Sequence, residues 1–505
     1  MLPDDPFDRA LLEHVRPSGW QSPKPQDRYD LVVIGAGTAG LISASGAAGL
    51  GARVALIEKA ELGGDCLNVG CVPSKALLRS AHALAEARRA KDLGVHIAGG
   101  VTADFAAIAS RMREVRARIS PNDSARRYSD ELGVDVFLGE ARFAGDDTVL
   151  VGDARLRFRK AVIASGARAF VPPIPGLDET GHLTNESIFD LREQPRRLLV
   201  LGGGPIGCEL AQAFRRFGSE VTLVEMGEQF LVREDPDAAE ILLRSMQRDG
   251  VDVRLATRLV RVEAGTEGHR AILQRNDEEE SIAFDEILVA VGRSPNVQGL
   301  DLDAVGVEYD AQRGVSVDDH LRTSNPDIYA AGDVCLQHKF THAADHSARI
   351  VVQNALFAVG PFGRRRVSGL TVPWCTYTDP EIAHVGMYPR DAAARGVEID
   401  TYQREFAEVD RAIAEGRDEG FVKIHTEKGR DQIVGATIVG HAAGDLISEI
   451  SVAMAGGVGL GALANVIHPY PTTAEAIAQL GNAYNRTRLT PTVRWIFERL
   501  LSWRR

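Results

Sequence analysis

Residues 29–58 read YDLVVIGAGTAGLISASGAAGLGARVALIE, and the order of features in them decides the fold. A short apolar run (YDLVVI) is followed at once by GAGTAG, then by a helix-like stretch, then by a second apolar run ending at Glu58. This is strand, glycine turn, helix, strand, acid. Gly35, Gly37 and Gly40 fall on the GxGxxG template. There the first glycine permits a tight turn, the second a close approach of pyrophosphate, and the third close helix–strand packing. The free N–H groups at the helix start favour a phosphate. Glu58 is placed to accept hydrogen bonds from a ribose diol.

The pattern occurs twice. Residues 196–225, RRLLVLGGGPIGCELAQAFRRFGSEVTLVE, repeat it with Gly202, Gly204, Gly207 and Glu225. Each acid lies 23 residues beyond the first glycine of its turn. A lone glycine turn is a weak signal, whereas two in full strand–helix–strand context predict two bound dinucleotides. Glu225 pairs with a 2′-hydroxyl and repels a 2′-phosphate, so NADH is favoured over NADPH at the second unit.

Bulk properties agree with a large globular chain. At 505 residues it exceeds a single core and should form three or four domains. Fifty glycines are consistent with many tight turns and close backbone approaches. A net charge of -12 argues against general nucleic-acid binding. No apolar run of ~18 residues occurs, and the charged, proline-broken N-terminus is unlike a signal peptide. A cytoplasmic location is the expectation.

Five cysteines are too few for a disulfide scaffold. Two of them, Cys66 and Cys71, lie in GGDCLNVGCVPSK (residues 63–75). An ideal helix would hold them too far apart to bond, but Gly63, Gly64 and Gly70 allow a distorted turn. Structural thiols, a zinc-binding pair and a redox pair are all open on these residues alone, though no further Cys/His cluster completes a zinc site. Cys208, Cys335 and Cys375 read as small core residues.

The segment closely resembles the redox-disulfide signature of the FAD-dependent pyridine nucleotide-disulfide oxidoreductases. That family includes dihydrolipoamide dehydrogenase, glutathione reductase and mercuric reductase. The resemblance runs from about Tyr29 to Asn485, with IASGARAFVPPIPG, AVGRSPN, TSNPDIYAAGDV and TDPEIAHVG following in order. It implies an α/β fold with two Rossmann-like domains, for FAD and NAD, plus a C-terminal α+β dimerisation domain, hence a homodimer. It also implies that Gly35, Gly37, Gly40, Glu58, Gly166, Gly332 and Asp333 serve FAD. Gly202, Gly204, Gly207, Glu225 and Gly292 would serve NAD. A Cys66–Cys71 disulfide would be redox-active, with Cys71 on the flavin side and Cys66 facing substrate. Lys75, near the flavin, would pair with Glu209.

The expected organisation is an extension (1–28), a discontinuous FAD domain (29–166 and 286–360), an inserted NAD domain (167–285), an interface domain (370–485) and a basic tail (486–505). The turn HPYPTTAE (468–475) departs from the HxHPTxxE turn of the disulfide reductases: Tyr470 stands where they place a catalytic histidine, with Glu475 five residues on. Tyrosine, with a pKa near ~10 that Glu475 would raise further, is a poor base at neutral pH. Mercuric reductases carry a tyrosine there, but they also have a cysteine pair near the C-terminus. This sequence has no cysteine after Cys375. The expected acceptor is mercuric-reductase-like but unidentified. The alternatives are a dihydrolipoamide-type dithiol and a membrane-docked electron-transfer partner recruited by the tail, whose Val493, Ile496, Phe497, Leu500 and Leu501 share one helical face.

Overall fold

Strand β1 (Tyr29–Ile34) is almost wholly buried, as its unbroken apolar run requires of a strand covered on both faces. Around it the computed structural model, which describes residues 4–265, 268–360 and 362–505, builds a mainly parallel sheet. The first three residues of the N-terminal extension, two of the stretch 167–285 and residue 361 lie outside the described residues. β1 pairs in parallel with β2 (Val54–Glu58) and with β6 (Ala154–Ile163), Ile34 lying opposite both Ile57 and Ile163. β3 (Asp135–Leu138) extends the sheet beyond β2, and Ile328–Ala330 joins β6. β4 (Ala141–Phe143) and β5 (Thr148–Val151) add an antiparallel arm to β6.

The second repeat has the same plan. Strands 252–254, 220–224, 197–201 and 286–289 form a four-stranded parallel sheet in that order, and 258–263, 269–275 and 278–284 form an antiparallel arm. Each repeat thus places its glycine turn and its acid at the carboxyl ends of adjacent parallel strands, where α/β sheets bind ligands. Ahead of the first repeat, helix α1 (Pro6–Val15) contributes Leu11 and Val15 to the core beneath β1 and β2, and helix α2 (Thr38–Gly49) follows the first glycine turn.

These elements belong to one compact unit, Met1–Phe230 with Gly250–Leu370; the other comprises Leu231–Asp249 with Thr371–Arg505. In the second unit a five-stranded antiparallel sheet runs in the order 373–376, 381–386, 433–440, 421–427, 399–405. Its alternation is clear along Phe421–Glu427. Val422 and Ile424 join the apolar core with Ile447, Ile450, Ile477 and Leu480 of two helices. Lys423, between them, reaches Asp235 at 3.3 Å and Asp237 at 2.5 Å. Those acids flank the start of helix Pro236–Asp249. Glu234 accepts a hydrogen bond from Trp374 Nε1 (2.8 Å) and another from the Tyr388 hydroxyl.

Two histidines are buried in this sheet. His384 stacks on Tyr388 with ring centroids 3.5 Å apart. Burial lowers its pKa from 6.5 to about 3 and lowers that of His425 to about 4. Below pH 6.5 the unfolded chain takes up protons that these folded rings refuse. Their contribution is therefore complete above that pH and is lost progressively as pH falls towards the folded values. We expect the calorimetric midpoint of this unit to drop steadily from about pH 6.5 to about pH 4, and the drop to be shallower in His384→Gln. A midpoint that stays level across that window would contradict this.

Candidate active site

The two thiols meet because one helix stops and another starts between them. Helix α3 (Gly64–Asn68) carries Cys66 and ends where Val69 N–H bonds the Asp65 carbonyl at 2.9 Å. Helix α4 (Cys71–Arg89) begins at Cys71, with Ser74 N–H bonding the Gly70 carbonyl at 3.0 Å. A Cβ on Gly70 would sit 2.7 Å from the Asp65 carbonyl oxygen, so this fold-back requires glycine. Both cysteines are free thiols, and Cys66 hydrogen-bonds Cys71.

Their environments push the two thiols apart in acidity. Cys71 is lowered from 9.0 to about 6, chiefly by the hydrogen bond from Cys66, then by the Thr341 hydroxyl and the Lys75 charge, against burial. Cys66 is pushed well up by donating to Cys71 and by burial. The Thr341 Oγ1 lies 3.3 Å from Cys71 Sγ. It opens helix Thr341–Val352, whose N-terminal N–H groups add to the field favouring a thiolate.

Lys75 follows Cys71 by one helical turn, on the same face. Its Nζ lies 2.9 Å from Glu209 Oε2 on helix Pro205–Phe217, and the glutamate side chain is only 6% exposed. The glutamate charge alone would be costly to bury there, and Lys75 compensates it. Cys66, Cys71, Lys75 and Glu209, singled out from the sequence, are thus brought together.

The glycine turns match each other closely. Glu58 Oε2 accepts from Ala36 N–H (2.6 Å) and Oε1 from Ala60 N–H (2.8 Å). Glu225 Oε2 accepts from Gly203 N–H (2.8 Å) and Oε1 from Gly227 N–H (2.8 Å). Each acid is locked into the glycine turn of its own repeat. A Cβ on Gly40 would lie 1.7 Å from the Gly35 carbonyl oxygen, and one on Gly207 would lie 2.0 Å from that of Gly202. By contrast, a Cβ on Gly37 or Gly204 would meet nothing closer than 3.7 or 3.9 Å. Neither helix start has a side-chain cap. A bare, open helix start beside a fixed carboxylate fits a dinucleotide pyrophosphate and ribose in both repeats.

Gly166 and Gly292 stand at the paired strands 167–169 and 293–295: Asn296 N–H bonds the Gly166 carbonyl at 2.9 Å and Phe170 N–H that of Gly292 at 3.0 Å. Asp333, following Gly332, has its carboxyl raised by burial, and Arg293 (3.7 Å) opposes that rise. Arg293 also pairs with Asp65, the neighbour of Cys66, and donates to the Ala167 carbonyl at 2.7 Å. Thr341 and the bridging role of Arg293 escaped the sequence reading. Thr341 belongs to no motif and lies 270 residues from its partner; Arg293 sits inside AVGRSPN but carries no sign of which acids it joins.

In the second unit Tyr470 is 71% exposed and its hydroxyl donates to Asp410 Oδ2 at 2.8 Å. Asp410 is the main cause of the upward shift of the tyrosine, and Glu475 contributes less. Asp410, unforeseen in the sequence, thus outweighs the expected upward contribution of Glu475. Glu475 Oε1 accepts from Gln479 Nε2 at 3.3 Å, one turn along its own helix. His468 Nε2 lies 3.0 Å from Glu449 Oε1. Among the described residues no helix is long and apolar enough to cross a membrane.

Comparison with known proteins agrees with this geometry. Residues 29–348 match the pyridine nucleotide-disulphide oxidoreductase family, and residues 372–480 match the dimerisation domain of that family. Mercuric reductase of Bacillus cereus is 33% identical over 449 residues, spanning 89% of this chain and 70% of its own. Dihydrolipoyl dehydrogenase of Bacillus subtilis (strain 168) is 33% identical over 452 residues, spanning 88% and 94%. The structure of the HOCl-induced flavoprotein disulfide reductase RclA from Escherichia coli superposes with a TM-score of 0.79 at 28% identity, covering 90% of this chain and 99% of that one. The chain belongs to the pyridine nucleotide-disulphide oxidoreductases: it is an FAD-dependent flavoprotein oxidoreductase that uses NAD(P)H and carries the family's dimerisation domain.

Proposed function

We propose that this enzyme reduces a Cys66–Cys71 disulfide with NADH and passes the two electrons from Cys66 to an acceptor of the mercuric-reductase type, a soft metal ion or a disulfide. The observation that carries this reading is the hydrogen-bonded thiol pair at the start of α4, with Thr341 and Lys75 beside Cys71. When bound, FAD supplies the two-electron relay between nicotinamide and disulfide. Gly35, Gly37, Gly40, Glu58, Gly166, Gly332 and Asp333 hold it, and Gly202, Gly204, Gly207, Glu225 and Gly292 hold the nicotinamide dinucleotide.

The remaining roles follow from charge. Thr341 donates to the Cys71 thiolate, and Lys75, paired with Glu209, offsets negative charge next to it. Cys66, held protonated, is the thiol that meets the acceptor. Tyr470, supported by Glu475, serves the thiol pair of the other subunit as a hydrogen-bond donor. That role requires its one hydroxyl proton to turn from Asp410 to the thiolate, and with its pKa raised by Asp410 and Glu475 the tyrosine does not act as a base near neutral pH.

The tail supports a second reading, peripheral contact with an anionic membrane. Helix Pro491–Trp503 has no buried residue and exposes Ile496, Phe497, Leu500, Leu501 and Trp503. From Asn485 onward the chain carries six arginines and one glutamate, the composition of an interfacial helix.

Anaerobic titration of the holoenzyme with NADH is expected to produce a long-wavelength thiolate–flavin absorption band in the wild type, whereas Cys66→Ser should show the band before any NADH is added and Cys71→Ser should show none. A wild-type protein without the band would overturn the assignment of the pair. Tyr470→His should raise dihydrolipoamide turnover by roughly tenfold or more, the range of a well-placed acid–base group; an unchanged rate would show that this turn is not what limits dithiol chemistry. Deleting residues 486–505 should abolish binding to phosphatidylserine vesicles while leaving NADH–ferricyanide activity intact, and binding that persists would refute the membrane reading.

A further inference from the structure

Helix α1 lies ahead of the residues that match the family domain, yet it is tied to the thiol turn by two routes. Its start is capped by Asp5, whose carboxylate accepts from Phe7 N–H (2.9 Å) and Asp8 N–H (3.2 Å). Its last residue, Val15, accepts from Leu62 N–H at 3.1 Å. Leu62 directly precedes the glycine pair that opens the thiol segment. The second route passes through helix α5 (Phe105–Ile119). Asp8 Oδ1 and Arg116 Nη2 are 2.6 Å apart, and both side chains are fully buried. The Nη1 of the same guanidinium donates to the Asn68 carbonyl at 2.7 Å.

Asn68 lies between the two cysteines and is the last residue of α3. A carbonyl at a helix end has no partner within its own helix, and here Arg116 provides one. Asn68 is fixed a second time by its side chain, whose Nδ2 donates to the carbonyls of Leu62 (3.0 Å) and Gly64 (2.9 Å). The charge of Arg116 can be buried at this point only because Asp8 neutralises it. Arg113, one turn before Arg116, lies 3.6 Å from Asp5 and 4.0 Å from Asp8, so both acids of α1 are engaged by α5.

We propose that Arg116, charge-balanced by Asp8 of the N-terminal helix, is a positioning residue that fixes the turn between Cys66 and Cys71 and sets the balance between their disulfide and dithiol forms. The proposal rests on the reading that this pair is redox-active. Neutralising Asp8 leaves a buried cation bonded to the thiol turn. A bare cation favours thiolate over thiol, and so favours the reduced pair.

The test uses the FAD-loaded, full-length protein. In Asp8→Asn, iodoacetamide alkylation of the reduced enzyme should show the Cys71 midpoint about one pH unit below that of the wild type measured alongside. Equilibration with glutathione buffers should show the pair shifted roughly tenfold towards dithiol, about 30 mV. NADH-dependent reduction of the disulfide probe DTNB should fall at least tenfold, while ferricyanide reduction stays within twofold. Asp8→Leu/Arg116→Leu removes both charges and avoids an unpaired buried ion if the single variant fails to fold; it too should lose DTNB reduction selectively. An unmoved midpoint and equilibrium in Asp8→Asn, or parallel loss of both activities in either variant, would overturn the proposal. Cys66→Ser separates the two readings: if it retains full DTNB reduction, the redox assignment itself is wrong, whatever the Asp8 variants do.

Discussion

The close approach of Gly70 to the Asp65 carbonyl is the constraint on which the active site depends. A continuous α-helix rises ~1.5 Å per residue, so positions 66 and 71 would be separated by more than the ~4.4–6.8 Å that a disulfide spans. Ending α3 at Asn68 and restarting at Cys71 shortens that path. It also places Cys71 at the first position of the long helix α4, whereas Cys66 sits within the five-residue α3. The asymmetry in acidity comes chiefly from the hydrogen bond between the two thiols, with Thr341 and Lys75 adding to it at Cys71. Cys71 accepts hydrogen bonds from Cys66 and Thr341 beside a lysine, whereas Cys66 is left as the donor.

Around that break, the largely buried charges of Glu209, Arg293 and Arg116 each meet an opposite charge, with Lys75 and Asp65 themselves partly exposed. Lys75 is met by Glu209, Arg293 by Asp65 and Asp333, and Arg116 by Asp8. In every case the two partners come from different elements, and in two cases one partner stands next to a cysteine or one turn from it. Removing a single member of such a pair is costly, whereas the intact pair contributes little net stability. Their value is geometric: they fix which elements lie against the thiol turn.

The parts of this arrangement that were legible in the sequence are those governed by local spacing. The two glycine turns, the acids 23 residues on, the cysteine pair, and Lys75 one turn after Cys71 are all short-range patterns. The pairing of Lys75 with Glu209 became readable through resemblance, since nothing local links residues 134 positions apart. Thr341, Asp410 and Arg116 were not readable. A threonine opening a helix, an aspartate opening a short one and an arginine on an amphipathic one are ordinary surface or capping residues until tertiary packing selects their partners. Helix Pro236–Asp249 shows the same limit. Its buried residues recur at helical spacing, but its place against the antiparallel sheet of the second unit is decided by Glu234, Asp235 and Ser245, whose partners lie far along the chain.

The tyrosine at position 470 gains meaning when set beside the protonation of the thiol pair. In the reduced enzyme Cys71 carries the negative charge and Cys66 keeps the proton. For Cys66 to attack a disulfide, that proton must leave, and for a thiol product to depart a proton must arrive. A histidine performs both transfers near neutral pH. Tyr470 cannot take the first proton there, because Asp410 already accepts its hydrogen bond and raises its pKa further. On the proposed reading the acceptor therefore favours displacement of the thiol proton without help from a base, as a soft cation does when it binds sulfur. A dithiol substrate, which needs the base in the opposite direction, is disfavoured by the same residue. The tyrosine thus separates the two acceptor classes by proton chemistry rather than by the shape of a pocket.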